Sequence, residues 1–128
     1  MRILHTMLRV GDLDKSIGFY THVLGMSLLR QKEHSKGGFT LAFLGYGPES
    51  VHPALELTYN WGKHDYEIGT GFGHIAINVD DVYEAVDKAK EQGAKVIREA
   101  GPMNSGDTIV GFLQDPYGYE IELLSKKF

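Results

Sequence analysis

Cysteine is absent from this 128-residue sequence. The chain can therefore form neither a disulfide framework nor a thiolate metal site, and any metal would need nitrogen and oxygen ligands. An excess of positive charge is absent too. The net charge is −4 at pH 7, and the Lys and Arg residues are scattered along the chain. This charge balance gives no electrostatic case for nucleic-acid binding.

Long hydrophobic runs are also missing. The apolar N-terminal segment MRILHTMLRV is interrupted by His5 and Arg9, and no other stretch reaches the length of a membrane span. We therefore expect neither a signal peptide nor a transmembrane helix. We expect a soluble protein of the cytoplasm. Hydrophobic residues still make up 42% of the chain, which is enough for a packed core and excludes a disordered chain.

The sequence repeats itself with a period of about half its length. HTMLRVGDLDKSIGFY begins at His5, and HIAINVDDVYEAVDKA begins at His74. Each copy starts with the alternating pattern of a strand and continues with the apolar spacing of a helix. In the first copy, Asp12 is the predicted N-cap and Gly25 the glycine that ends the helix.

The second helix has the same signals at its two ends. Asp81 and Glu84 have the spacing of a capping box, and Gly93 is the predicted C-terminal glycine. Each copy then continues with three strand-like segments. They are MSLLRQKEH, GFTLAFLGY and ALELTYN in the first copy, and AKVIRE, DTIVGFLQD and YEIELL in the second.

These patterns predict an α+β fold. We expect one domain over 1–128, made of βαβββ modules over 1–60 and 73–125 that pair into a curved mixed sheet with the helices outside. Two flexible loops and a tight turn of sequence DPYG are predicted at 60–72, 99–107 and 115–118.

One histidine and one glutamate fall at matching places in each module. Because side chains alternate along a strand, His5 and Glu56 lie on polar faces of strands whose other faces are apolar. His74 and Glu122 have the same arrangement in the second module. Two imidazoles and two carboxylates suit a divalent metal of borderline softness, such as Ni, Co, Zn or Fe.

The alternative is that these residues have no joint function. A single strand histidine is usually exposed or hydrogen-bonded, and a glutamate between leucines usually faces solvent, because antiparallel sheets commonly keep one wet face. The matched positions in the two copies favour a shared metal site but leave both interpretations open.

The sequence resembles the glyoxalase I (lactoylglutathione lyase) family of the vicinal oxygen chelate superfamily over essentially its whole length. The resemblance is carried by the segments LHTMLRVGDLDKSIGFYTHVLGM, LAFLGYGPE, LELTYNWG, GHIAINVDD and DPYGYEIEL. It implies paired βαβββ modules and four metal ligands, at His5, Glu56, His74 and Glu122. It also implies a homodimer whose active sites lie between subunits, each site taking its first two ligands from one chain and its last two from the partner.

The resemblance implies a reaction as well. Members isomerise the hemithioacetal of methylglyoxal and glutathione to S-lactoylglutathione, by metal-assisted proton transfer through an ene-diolate, and so remove methylglyoxal. It makes Glu122 the main catalytic base, with Glu56 serving the other face of the substrate. Short chains of this kind resemble the bacterial type, for which nickel is expected first, cobalt second and zinc last.

Binding of the glutathione carboxylates is assigned in the same way. Arg9 and Asn60 lie four residues beyond His5 and Glu56 on the same faces, about 13 Å along each strand, and the family uses an Arg and an Asn there. Some members have a further arginine four residues before the second histidine, where this chain has Thr70. Arg98 is the candidate for a remaining basic contact.

Other functions are compatible with the same fold. Dioxygenases of the superfamily use two histidines and one glutamate on iron, so the fourth ligand argues against them, and an epimerase is a related alternative. Ligand-sequestering members bind without a metal, and the complete ligand set argues against that function. Fold analogy alone does not choose among these.

Overall fold

The computed structural model describes residues 1–128 and contains eight strands, two α-helices and one π-helical turn. The strands of the first half are β1 (His5–Arg9), β2 (Ser27–His34), β3 (Phe39–Gly45) and β4 (Ala54–Asn60). Those of the second half are β5 (His74–Asn78), β6 (Lys95–Pro102), β7 (Ile109–Gln114) and β8 (Glu120–Leu124). The helices are α1 (Leu13–Gly18), which continues into the π-helical turn Phe19–Val23, and α2 (Val82–Glu91). The predicted α+β class with two βαβββ modules is confirmed.

The strands form two four-stranded mixed sheets with the same topology. Their orders are β1-β4-β3-β2 and β5-β8-β7-β6. In each sheet the first strand runs parallel to the last, and the other neighbours are antiparallel. The chain divides into two compact units, Met1–Glu67 and Ile68–Phe128, and each sheet belongs to one unit. Neither helix has the length and apolar character needed to cross a membrane.

The core of each unit lies between its helix and one face of its sheet. Helix α1 packs on β3 and β4, and α2 packs on β6, β7 and β8. The faces predicted from strand alternation are observed only in the last part of β1: Leu8 is 4% exposed between the exposed Met7 and Arg9, whereas Thr6, predicted on the same face as Leu8, is exposed like His5. Helix α2 lies so close to β7 that a Cβ on Gly111 would come within 2.8 Å of the Val86 side chain.

The predicted N-caps and helix-ending glycines are observed, but the predicted capping box is not. The carboxylates of Asp12 and Asp81 accept hydrogen bonds from the third following backbone N–H, as predicted for N-caps. Gly25 and Gly93 both have positive φ angles, the conformation that suits a helix-ending glycine. Glu84 does not complete a capping box, because its carboxylate pairs with Lys88 at 2.8 Å instead.

The first helix is not α-helical throughout. Its second part is a π-helical turn, in which the Leu24 N–H donates to the Phe19 carbonyl five residues earlier. The hydroxyl of Thr21 donates to the Ile17 carbonyl at 2.8 Å. It shares an acceptor that the backbone of a regular α-helix would use, a contact that bends helices locally.

The predicted loop over 99–107 is shorter in the structure. Strand β6 continues to Pro102, because its pairing with β7 resumes at Gly101 after an irregular stretch. The tight turn at 115–118 is observed as predicted. The carboxylate of Asp115 accepts the N–H groups of Tyr117 and Tyr119, and Gly118 donates back to the Asp115 carbonyl.

Candidate metal centre

The first unit brings His5 and Glu56 together. The parallel pairing of β1 with β4 sets Met7 opposite Glu56, and His5 is two residues earlier on the same face. Nε2 of His5 lies 3.4 Å from Oε1 of Glu56. The carboxylate is the better shielded partner, with 13% of its side chain exposed against 38% for the imidazole.

The second unit brings His74 and Glu122 together in the same way. The parallel pairing of β5 with β8 sets Ala76 opposite Glu122, two residues beyond His74. Nε2 of His74 is 3.4 Å from Oε2 of Glu122, and the two side chains are 41% and 16% exposed. The two halves of the sequence repeat therefore place their histidine and glutamate at the same separation.

Each pair has the donor chemistry and spacing of two neighbouring ligands of one metal ion. A separation of 3.4 Å is long for a hydrogen bond between nitrogen and a carboxylate. It agrees with bonds of about 2.0–2.2 Å from each donor to a shared ion, which place adjacent ligands roughly 3.0–3.4 Å apart. Within each unit, no group of three or more possible ligands is assembled. Each unit therefore brings together two candidate ligands, fewer than a closed site needs.

The two glutamates differ in their second oxygen. Oε2 of Glu56 accepts a hydrogen bond from the buried hydroxyl of Thr58 at 3.0 Å. The residue at the corresponding position after Glu122 is Leu124, which has no hydroxyl. The first carboxylate thus has a hydrogen-bond donor at one oxygen and His5 beside the other, and the second has only His74 beside it.

A phenylalanine stands beside each histidine. The rings of His5 and Phe43 are perpendicular, with centroids 5.5 Å apart, and those of His74 and Phe112 are perpendicular at 5.3 Å. Edge-to-face contacts of this kind are favourable and directional. Each imidazole therefore packs against a phenylalanine ring, from β3 in the first unit and from β7 in the second.

Arg30 is a residue near this centre that the sequence interpretation did not single out. Its guanidinium lies 3.6 Å above the Phe43 ring and donates to Glu49 at 2.8 and 3.2 Å. The hydrogen bond from Arg30 lowers the pKa of Glu49, and Glu49 in turn raises the pKa of Arg30. The signal was present in the repeat, since Arg30 and Arg98 each follow two apolar residues in corresponding strands.

The three predicted substrate-binding residues have different surroundings. Arg9 ends β1, exposed, opposite Thr58. Asn60 ends β4, and its amide donates to the Tyr66 hydroxyl at 3.1 Å. Arg98 lies within β6 rather than in a loop, and it donates to the Pro102 carbonyl at 2.8 Å. Arg9 and Asn60 thus belong to the first unit and Arg98 to the second.

Comparison with known proteins defines the class to which this fold belongs. The model of the glyoxalase/bleomycin resistance protein/dioxygenase superfamily matches residues 2–123, and the chain belongs to that superfamily. The lactoylglutathione lyase of Neisseria meningitidis is 57% identical to it, covering 99% of this chain and 92% of the relative. A probable lactoylglutathione lyase of Vibrio parahaemolyticus is 60% identical, covering 98% and 91%.

Solved structures of the same class superpose closely. Glyoxalase I from Zea mays has a TM-score of 0.96 and 50% identity over 99% of this chain. This chain spans about half of that longer maize chain, covering 45% of it. The trypanothione-dependent glyoxalase I of Leishmania major has a TM-score of 0.89 and 48% identity, covering 98% of this chain and 86% of its own.

Proposed function

We propose that the chain is a lactoylglutathione lyase, a carbon–sulfur lyase that converts the hemithioacetal of methylglyoxal and glutathione to S-lactoylglutathione. The observation that carries the proposal is the pair of matched His–Glu contacts at 3.4 Å, one on each four-stranded sheet. Relatives with 56–60% identity over nearly the full chain that are lactoylglutathione lyases support it. In this function the protein removes methylglyoxal.

The four ligands of the divalent metal are His5, Glu56, His74 and Glu122. When bound, the metal supplies Lewis-acid stabilisation of the negative charge that develops on the substrate oxygens. We take nickel as the physiological metal, before cobalt and zinc. The imidazole and carboxylate set itself suits all three ions, so the choice has to be measured.

Glu122 is the principal base. It takes the proton from C1 of the hemithioacetal and returns it to C2, while the hydroxyl proton passes from the C1 oxygen to the C2 oxygen, so that no net proton is gained or lost. The contrast with Glu56 supports this assignment, because the hydroxyl of Thr58 occupies one Glu56 oxygen and no hydroxyl stands at Leu124. Glu56 acts mainly as a ligand and faces the other side of the substrate.

The anionic groups of the thiol are bound by Arg9 and Asn60, with Arg98 as a further basic contact. Arg9 carries a fixed charge at the exposed end of β1, which suits a carboxylate. The Asn60 amide is held by Tyr66, so its remaining hydrogen-bonding groups have a defined direction. Glutathione is the expected thiol, and the trypanothione-dependent relative from Leishmania makes trypanothione the comparison to test.

The active protein is a homodimer of single-domain subunits. Each unit supplies two ligands, and a four-ligand site needs two units. In this proposal each site combines His5 and Glu56 of one subunit with a His–Glu pair of the other. That second pair consists of the residues at positions 74 and 122. Each pair lies beside an edge strand, β1 or β5, whose free side can accept another strand. A cytoplasmic location stays a prediction from the sequence.

The direct test is an ultraviolet assay of thioester formation from methylglyoxal and glutathione. Metal-free protein should be inactive and should regain activity when nickel or cobalt is added, and less when zinc is added. Trypanothione replaces glutathione in a parallel series. Protein that binds a divalent metal and still forms no thioester with either thiol would contradict the proposal, and protein that binds no metal at all would point to a sequestering function.

A further inference from the structure

The row of side chains that contains each glutamate continues across its sheet to an arginine. In the first sheet the pairing sets Met7, Glu56, Phe43 and Arg30 opposite one another on four successive strands. In the second sheet the corresponding row is Ala76, Glu122, Phe112 and Arg98. Residues in such a row project from the same face, so the arginine belongs to the face that carries the metal ligands.

A break in strand pairing immediately precedes the arginine in both sheets. The register shifts between Leu28 and Arg30 in β2, and between Val96 and Arg98 in β6. A bulge of this kind turns the side chain that follows it, and bulges are frequent beside active sites. Two bulges at equivalent positions indicate that the orientation of the arginine matters in both units.

The two arginines nevertheless have different partners. Arg30 is held by both oxygens of Glu49, at 2.8 and 3.2 Å, and covers the face of Phe43. The backbone carbonyl of Glu49 is in turn bound by Arg2. Arg98 makes its hydrogen bond to the Pro102 carbonyl and has no carboxylate partner in the structure. Only the first row therefore has a guanidinium fixed by a bidentate carboxylate.

We propose that Arg30, held by Glu49, is a positioning residue for His5: it fixes the Phe43 ring, which in turn orients the imidazole toward the metal. The proposal rests on the metal site proposed above. Phe43 is only 4% exposed and stands perpendicular to His5 at 5.5 Å, so a ring that cannot tilt presents one constant surface to the imidazole. Groups that orient a metal ligand affect the metal affinity although they do not touch the metal.

The Arg30–Glu49 ion pair contributes little to the stability of the fold. The side chain of Arg30 is 56% exposed and that of Glu49 34%, and exposed ion pairs contribute little to folding. Loss of the pair should therefore change the local order around His5 much more than the melting temperature. This expectation separates a positioning role from a merely structural one.

The test compares Arg30→Met with Lys32→Met, a matched control two residues further along the same strand. Met keeps most of the apolar stem and removes the charge and the planar group. Nickel affinity is measured by competition with a chelator, and the His5 imidazole is observed by NMR in the metal-free protein. Steady-state kinetics at saturating nickel complete the set.

For Arg30→Met we expect about a tenfold weaker nickel affinity, the lower end of the usual effect of groups that orient a metal ligand. The His5 resonances should broaden or shift, and kcat should fall more than KM rises. Glu49→Gln should cause a smaller change in the same direction. Arg30→Lys should rescue only in part, because an ammonium group can neither stack as a plane nor pair bidentately. Lys32→Met should match the wild type in every measurement.

Nickel affinity and His5 signals in Arg30→Met equal to those of Lys32→Met would overturn the proposal. A changed His5 signal with unchanged nickel affinity would overturn it as well, since Arg30 would then order the ring without serving the metal. If wild-type protein bound no nickel, the proposed function would fail. The metal-free NMR comparison would still decide whether Arg30 positions His5.

Discussion

Glu56 and Glu122 occupy matched positions, but only Glu56 accepts a hydrogen bond from a neighbouring hydroxyl, that of Thr58. The residue that corresponds to Thr58 beside Glu122 is Leu124, which has no hydroxyl. We expect Glu122→Gln to lower kcat by at least a hundredfold, because an amide cannot accept the proton and general bases typically contribute 10²–10⁴-fold. The amide oxygen should keep part of the metal affinity. Rate and metal content are measured on the same preparation, with Glu120→Gln on the same strand as control. Near-normal turnover would exclude Glu122 as the base.

Arg9 tests the anion-binding end of the site. Arg9→Ala should reduce kcat/KM about tenfold to a hundredfold, because a charge-assisted contact is worth about 1.5–3 kcal/mol. Metal affinity should stay unchanged, since Arg9 lies about 13 Å along the strand from His5. Steady-state kinetics and chelator competition check both statements, with Lys36→Ala as control for the loss of a surface charge. An unaltered kcat/KM would leave Arg9 as a solvent-exposed charge only.

At the scale of elements, the end of β1 is fastened to the segment that follows β4. The carbonyl of Gly11 accepts a hydrogen bond from the His64 ring at 3.0 Å, and a Cβ on Gly11 would overlap the backbone of His64. Gly11→Ala should therefore cost at least about 1–3 kcal/mol, the usual range for overpacking. Urea unfolding measures the loss. Gly71→Ala is the control, because a Cβ there meets no atom within 4 Å.

The loop between β3 and β4 is tied to the end of the first helix by Tyr46. Its hydroxyl donates to the Leu24 carbonyl at 2.6 Å, and partial burial of a side chain that is still half exposed raises the pKa of Tyr46 to about 12. Between pH 10 and about 12 the folded protein keeps a proton that the unfolded chain loses, so stability falls as the pH rises through this range. In ultraviolet titration Tyr46→Phe should lose one late tyrosine ionisation relative to the wild type, and a Tyr46→Phe titration identical to the wild type would refute the assignment.

Local elements could be predicted from the sequence because their signals are local. The caps at Asp12 and Asp81 and the turn at Asp115 depend on residues a few positions away. The π-helical turn could not be predicted, because apolar spacing does not reveal which carbonyl each N–H of the helix uses. Strand faces were predictable by alternation, but the pairing of β1 with β4 was not, and it brings His5 to Glu56. Arg30 was missed because its matched place in the repeat does not reveal the bulge that orients it.

At the scale of the whole molecule, the proposed sharing of ligands between subunits can be tested by complementation. One chain carries His5→Ala and Glu56→Ala, and the other carries His74→Ala and Glu122→Ala, so each homodimer is inactive. After subunit exchange, a heterodimer with shared sites has one site with four intact ligands and one with none. Activity should return, to at most about half the wild-type value per heterodimer.

Native mass spectrometry verifies that the heterodimer has formed. If each site were built from one chain, every site would lack two ligands and the mixture would stay inactive. Inactivity in the presence of verified heterodimer would therefore rule out the shared site.

The parallel pairing of β1 with β4 also has a consequence for the order of folding. It joins residues far apart in the chain, such as His5 and Ala54, whereas β2, β3 and β4 pair through short connections. Contacts between distant residues close late, because the chain loses the entropy of a long loop before it gains the contact. The antiparallel strands β2, β3 and β4 should therefore pair first, and β1 should pair with β4 last. In the second sheet β5 should likewise pair with β8 last. Each His–Glu pair spans that final contact, so metal-binding competence should emerge only at the end of folding, and stopped-flow refolding should record it after most of the sheet signal.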